Sequence, residues 1–247
     1  LGAPAVNGIP ESPTALVTGG ARRLGATIVR ALAEEGFRVG FSYRRSAAEA
    51  EQLVDELEAG DLNAAGFECD LREASECAAL VETVEADLGP VSLLVNNAGV
   101  IHEAGVDSAG ADDFDATMAV NLRAPWLLSL DLGRRMRSRG SGSIINIASV
   151  GGIRPYSKHL AYSVSKAGLI MLTRGLARDL APEVRVNAIA PGMIDLGESG
   201  GMPARERVPL QSWTGPEDIE DAVLYLADAG QVTGQVLAVD GGWHLSA

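Results

Sequence analysis

The chain has 247 residues with 47% apolar content, 29 glycines and a formal net charge of −13. That length and composition suit a globular chain with a substantial core and exclude disorder. The acidic balance argues against an extended nucleic-acid surface, though a local basic patch for a small anion is compatible with it.

Residues 1–13 are rich in Pro, Gly and Ala without periodicity and read as a loose arm. Ala15-Leu16-Val17-Thr18 is a short apolar run entering Gly19-Gly20, the pattern of a buried strand ending in a turn. Leu24, Ile28, Val29 and Leu32 keep helical spacing to Glu35, and Gly36 is the expected stop. Strands are then expected at 38–43, 64–69, 91–95, 143–147, 184–189 and 236–239. Helices are expected at 47–57, 73–88, 112–137, 159–180 and 216–227. The segment from Pro191 to about Gly215 has no regular pattern.

Strands that alternate with helices pair in parallel through right-handed crossovers. The expected fold class is therefore α/β: a single doubly wound, Rossmann-like domain over residues 14–247, with about seven parallel strands and helices on both faces. Such sheets bind ligands beyond the carboxyl ends of their strands. No stretch approaches the roughly 20 apolar residues of a membrane span, and no basic region precedes an apolar run at the N-terminus. The expectation is a cytoplasmic protein with neither membrane nor nucleic acid as partner. Cys69 and Cys77 have no metal-ligand or redox spacing, and two thiols do not make a disulfide scaffold.

Four features carry chemistry. The turn Thr18 to Gly25 joins the first strand to its helix, where glycines and exposed amides favour a phosphate, although the strict G-x-G-x-x-G pattern is absent. The second strand ends in Arg44-Arg45-Ser46, where a protein gripping a ribose diol would usually offer an acid. Two guanidiniums and a hydroxyl there suit a 2′-phosphate instead, which points to NADPH over NADH. Of only two lysines in the chain, Lys166 follows Tyr162 by four residues, so the two share a helical face. Finally, Ser149 closes the strand before that helix and Asn121 sits in an apolar helical region.

Together these motifs resemble the short-chain dehydrogenase/reductase family over residues 14–243. The resemblance rests on Thr18–Gly25, Asp70-Leu71, Asn96-Asn97-Ala98-Gly99, Asn121, Ser149 thirteen residues before Tyr162, Lys166, Pro191-Gly192 and Asp240-Gly241-Gly242. It implies that Gly19, Ala21, Arg22, Arg23, Leu24, Arg44, Arg45 and Ser46 contact the cofactor, and that Asp70 and Leu71 border its adenine. It further implies that Asn97, Ala98 and Gly99 line the cofactor, that Pro191, Gly192 and Ile194 wrap the nicotinamide, and that residues from about 192 to 215 form a substrate lid. By the same resemblance Lys166 binds the nicotinamide ribose, Asn121 holds a water that relays a proton to Lys166, and the protein is a homo-oligomer, a tetramer or dimer.

Arg23, the run Arg44 to Ala50 and the run Leu180 to Asn187 are similar to the pteridine reductase branch of that family. Ser149, Ile101 and Gly99 depart from it, since that branch commonly has Asp, a pterin-stacking Phe and Ser there.

The expected activity is an NADPH-dependent reduction of a carbonyl or similar polarised double bond of a small molecule. Tyr162 is the expected proton donor and Ser149 the hydrogen-bond donor to the substrate oxygen. A dihydropteridine or dihydrofolate reductase is the enzyme alternative, and a non-catalytic NADPH sensor or scaffold the alternative of another class. A cation about 4 Å from a phenol supplies roughly 4 kcal/mol at an effective dielectric of about 20, or about 3 pKa units. Before any desolvation, Lys166 alone is thus expected to bring Tyr162 from about 10 toward its working pH.

Overall fold

The computed structural model describes residues 13–197 and 205–246. Residues 1–12 of the expected arm and 198–204 of the expected lid lie outside the described residues. Strands β1 (Thr14–Val17), β2 (Arg38–Tyr43), β3 (Ala64–Glu68), β4 (Val91–Asn96), β5 (Gly142–Ile147), β6 (Val184–Pro191) and β7 (Val236–Val239) form one sheet. Its order is β3-β2-β1-β4-β5-β6-β7, and every pair is parallel. Helices α1 (Arg23–Glu34), α2 (Ala47–Ala59), α3 (Ala74–Leu88), α4 (Ala111–Met118), α5 (Ala124–Arg139), α6 (Leu160–Asp179) and α7 (Pro216–Asp228) complete the alternation.

The strands are apolar on both faces because both faces are covered. Leu16, Leu94, Ile144 and Val186 pack with α3, α5 and α6, including Val84, Leu132 and Leu176. An odd number of positions further along the same strands, Val17, Val95, Ile145 and Ile189 point the other way onto Ile28, Leu53 and Val223 of α1, α2 and α7. A period of two in side-chain direction splits each apolar run between two cores.

The long helical region expected from Asp112 to Arg137 is helical but not uniform. Between α4 and α5, Ala119–Arg123 form a π turn that contains Asn121. Strand β1 pairs with β2 on one side and β4 on the other, so the chain reverses its direction of progress across the sheet there. A crevice opens at such a reversal, beyond the carboxyl ends of the strands. The segment after β6 is held by a parallel bridge between Ile194 and Thr214. Among the described residues, no helix is long and apolar enough to cross a membrane.

Candidate active site

The turn after β1 is built by close packing. A Cβ on Gly25 would lie 2.0 Å from the Gly19 carbonyl oxygen and 2.8 Å from Asn97 Nδ2, so α1 can start there only with glycine. Gly19 itself has φ +65°. Thr18 Oγ1 accepts hydrogen bonds from the Asn97 and Ala98 amides at 3.0 Å each, and Asn97 Nδ2 donates to the Thr18 carbonyl at 2.9 Å. Ser42 Oγ accepts from the Gly19 amide at 3.2 Å. These bonds lock the turn after β1 to the ends of β2 and β4. Arg22, the cap of α1, offers no side-chain hydrogen bond, and the first turn holds no acid. The helix start therefore favours an anion.

The ends of β1 to β6 open on one cavity of about 720 Å³. The phosphate-turn residues Gly19, Ala21, Arg22, Arg23 and Leu24 line it, as do Arg44, Arg45 and Ser46 after β2. Asp70 and Leu71 after β3, and Asn97, Ala98 and Gly99 after β4, continue the wall. Ser149, Tyr162, Lys166, Pro191, Gly192 and Ile194 close the far end. Every expected cofactor contact thus meets in one place.

Some wall residues were not expected. Ser42, Cys69, Val120 and Leu196 join the lining, and so does Glu49 from the first turn of α2. Nothing in the spacing of these five marks them; the fold brings them to the strand ends from separate elements. The Asp70 carboxyl is held well down, to about 2, by hydrogen bonds from Arg72, whose Nε lies 2.9 Å from Asp70 Oδ1. Cys69 and Cys77 are buried and unlinked.

At the other end, Ser149 caps a short 3-10 turn, and its Oγ accepts from the Gly151 amide at 2.9 Å. Tyr162 and Lys166 lie one turn apart on α6, as their spacing requires. Lys166 is buried, and its Nζ donates to the Ile147 carbonyl at 2.7 Å. Asn121 is buried beside them but does not reach the cavity. Its Oδ1 accepts from the Val100 amide at 2.8 Å, while its Nδ2 donates to the Val100 carbonyl at 2.8 Å and to Ser165 Oγ at 3.1 Å. A Cβ on Gly99 would sit 3.6 Å from both Asn121 Oδ1 and Lys166 Nζ, so these two groups flank that glycine.

A family model described as enoyl-(acyl carrier protein) reductase matches residues 19–244. The chain belongs to the short-chain dehydrogenase/reductase family. Among its relatives, carbonyl reductase family member 4 of Danio rerio is 34% identical over 95% of this chain and 99% of its own. A blue fluorescent protein from a metagenomic library, solved with NADPH, is 36% identical with a TM-score of 0.87, covering 94% of this chain and 97% of that one. FolM alternative dihydrofolate reductase 1 from Brucella canis, solved with NADP, is 34% identical with a TM-score of 0.88 and covers 95% of both chains. Membership makes the chain an oxidoreductase.

One expectation drawn for this short-chain dehydrogenase/reductase needs correction. Lys166 does not bring Tyr162 toward neutrality in the free chain. Burial pushes the Tyr162 phenol up to about 12, opposed by the neighbouring Ser149 hydroxyl. Burial likewise pulls Lys166 down to about 8. The ammonium is tied to the Ile147 carbonyl and lies 5.8 Å from the centre of the Tyr162 ring. Desolvation sets the direction of both shifts. Both Nδ2 hydrogens of Asn121 are taken by protein groups, so a water held by its side chain would have to donate to the second lone pair of Oδ1.

Proposed function

We propose that the protein is an NADP(H)-dependent reductase of a carbonyl, or a similar polarised double bond, in a small molecule, with Tyr162 as proton donor. The observation that carries this reading is the convergence of Ser149, Tyr162 and Lys166 at one end of the cavity that begins at the glycine turn and Arg44-Arg45. NADP(H) fits that cavity on three counts. The Gly25 turn excludes any larger residue, the start of α1 is uncapped, and two guanidiniums border the wall where a 2′-phosphate would lie. Glycine-turn and α1 amides would hold the diphosphate, Arg44, Arg45 and Ser46 the 2′-phosphate, and Pro191, Gly192 and Ile194 the nicotinamide. When bound, the cofactor supplies the hydride.

The chain's own residues supply the rest. Ser149 donates a hydrogen bond to the substrate oxygen as charge gathers on it. Tyr162 gives that oxygen its phenolic proton. With its pKa near 12 in the free chain, Tyr162 is fully protonated at neutral pH, the state that reduction needs. Lys166, one turn along α6, stabilises the phenolate left behind and would hold the ribose. Asn121 anchors Val100 and Ser165, which keeps the loop after β4 against α6.

NADPH oxidation across β-keto esters, diketones, quinones, dihydrobiopterin and dihydrofolate tests the reading. Turnover of keto compounds supports it, and no turnover with any of them sinks it. The similarity to FolM favours pterin or folate reduction as a second reading. Against it, Ile101 lines the cavity where a stacking ring is expected, which forgoes about 0.5–1.5 kcal/mol of aromatic contact. Activity confined to the pterins would decide for that second reading.

The clamp makes its own prediction. Replacing Arg44 and Arg45 together with alanine should weaken NADPH binding by about 10–100-fold, since a hydrogen bond to a charged group is worth about 1.5–3 kcal/mol. NADH binding should change little. Fluorescence titration of both cofactors measures this, and an equal loss for the two would refute the assignment.

Self-association is a further part of the proposal. Phe114 on α4, Trp126 on α5, and Leu160, Val164 and Met171 on α6 are exposed apolar side chains. A homo-oligomer built through these long helices would cover them. Sedimentation velocity should show a dimer or tetramer, and a monomer at micromolar concentration would contradict this.

A further inference from the structure

Tyr156 stands beside the reacting groups with a phenol that the mechanism above does not use. Its ring is stacked on that of Tyr162, with centroids 6.3 Å apart and planes 14° off parallel, and it meets Trp243 at 5.7 Å on another side. Its backbone amide donates to Ser163 Oγ on α6 at 3.1 Å. The ring is therefore held from several directions. Yet, among the described residues, its buried Oη has no hydrogen-bond partner. A buried unpaired hydroxyl is costly, and such groups concentrate where a ligand or a reaction completes the bonding.

Ser149 and the Gly151 amide are polar neighbours of this hydroxyl. A Cβ on Gly151 would lie 3.0 Å from Tyr156 Cε2 and 3.2 Å from Tyr162 Cε1, so both rings press against Gly151. The amide of the same glycine donates to Ser149 Oγ. Ser149 is also close enough to both phenols for its hydroxyl to favour their ionised forms, and burial keeps Tyr156 protonated despite this. A serine hydroxyl has one proton to give and two acceptor positions. Gly151 fills one of those positions, and no other hydrogen bond to Ser149 Oγ occurs among the described residues.

We propose that Tyr156 is a positioning residue for the reduction, its O–H donating to the second acceptor position of Ser149 Oγ so that the Ser149 proton can point only toward the substrate oxygen. In the free chain no hydrogen bond joins the two hydroxyls, and such contacts commonly tighten only when substrate arrives. As Ser149 donates to the developing negative charge, its oxygen becomes the better acceptor and the Tyr156 contact tightens. The gain therefore falls on the transition state more than on the bound substrate. Tyr156 touches neither substrate nor cofactor in this role and acts through Ser149.

The inference rests on the reductase reading, which the panel above and Tyr162→Phe test separately. Its own test is Tyr156→Phe, alone and combined with Ser149→Ala, assayed by NADPH oxidation with ethyl acetoacetate and 2,3-butanedione as probes. Tyr156→Phe keeps the ring stack and removes an unpaired buried oxygen. Its thermal midpoint should therefore hold or rise by about 2–4 °C. NADPH binding should be unchanged, while kcat falls about tenfold with little change in KM. In the Ser149→Ala background the same substitution should cost nothing further. Wild-type kcat in Tyr156→Phe overturns the proposal, because Ser149 would then need no help. Equal losses with and without Ser149 also overturn it, because Tyr156 would then act on its own. A thermal midpoint that drops together with kcat overturns it as well, by assigning Tyr156 to packing.

Discussion

Tyr162→Phe should lose about 10²–10⁴-fold in kcat and keep nearly all of its NADPH affinity. The substitution removes one oxygen from the end of the cavity and leaves the ring, which stacks on Tyr156 and lies near the Lys166 ammonium. The cofactor wall from the Gly19 turn to Arg45 is untouched. The size of the effect follows from the loss of the phenolic proton that the reduction uses. Ser149 shares the wall, but a serine hydroxyl gives a hydrogen bond and not a proton at neutral pH. Steady-state kinetics on a keto substrate, with a fluorescence titration of NADPH, separates the two quantities. Normal turnover in the variant would end the proposed mechanism.

Lys166→Met should lose at least about 10²-fold in kcat and gain stability in the free chain at neutral pH. The ammonium is buried, and burial holds it near 8 against the usual 10.5. That gap corresponds to an order of 3 kcal/mol stored against folding. Methionine removes this cost but leaves the Ile147 carbonyl without its 2.7 Å donor, returning about 1–3 kcal/mol. A net gain of about 1 kcal/mol is expected, equivalent to about 2–4 °C in thermal midpoint.

The pH dependence has a definite sign. Between pH 8 and 10.5 the unfolded chain holds the Lys166 proton and the folded chain does not, so wild-type stability climbs with pH across that window. Below pH 8 both states are protonated and the whole cost is present. Tyr162 acts in the opposite sense, since its folded form keeps the proton to about 12 and the unfolded form only to about 10. Its effect begins only above pH 10. Chemical denaturation of both proteins from pH 7 to 10 measures the difference. A stability gap between wild type and Lys166→Met that does not shrink as pH rises would show that the ammonium is not buried at a cost.

Much of this site was legible because its parts are local. The phosphate turn reads from Gly19 to Gly25 since glycine is the residue that tolerates a carbonyl at 2.0 Å from where a Cβ would be. The clamp reads from Arg44 and Arg45 since they follow a strand directly. Less local features were not legible. Glu49 enters the wall from the next helix, and Ser42 supports the Gly19 amide from the neighbouring strand. Asn121 sits in a π turn that apolar periodicity does not signal. Trp243 lies 87 positions from Tyr156 and meets it only because the chain after β7 folds back over the loop that precedes α6.

The Tyr162–Lys166 pair marks the boundary. By itself the sequence determined that the two side chains share a face, because four residues make one helical turn, and that strands alternating with helices would bring their ends to a common crevice. Only the tertiary structure decided what that face does to their protons. Ile147 engages the ammonium, the surrounding walls strip water from both groups, and Tyr162 becomes a weaker acid where simple charge attraction predicted a stronger one. Spacing is a property of the chain, but desolvation belongs to whatever the fold packs around it.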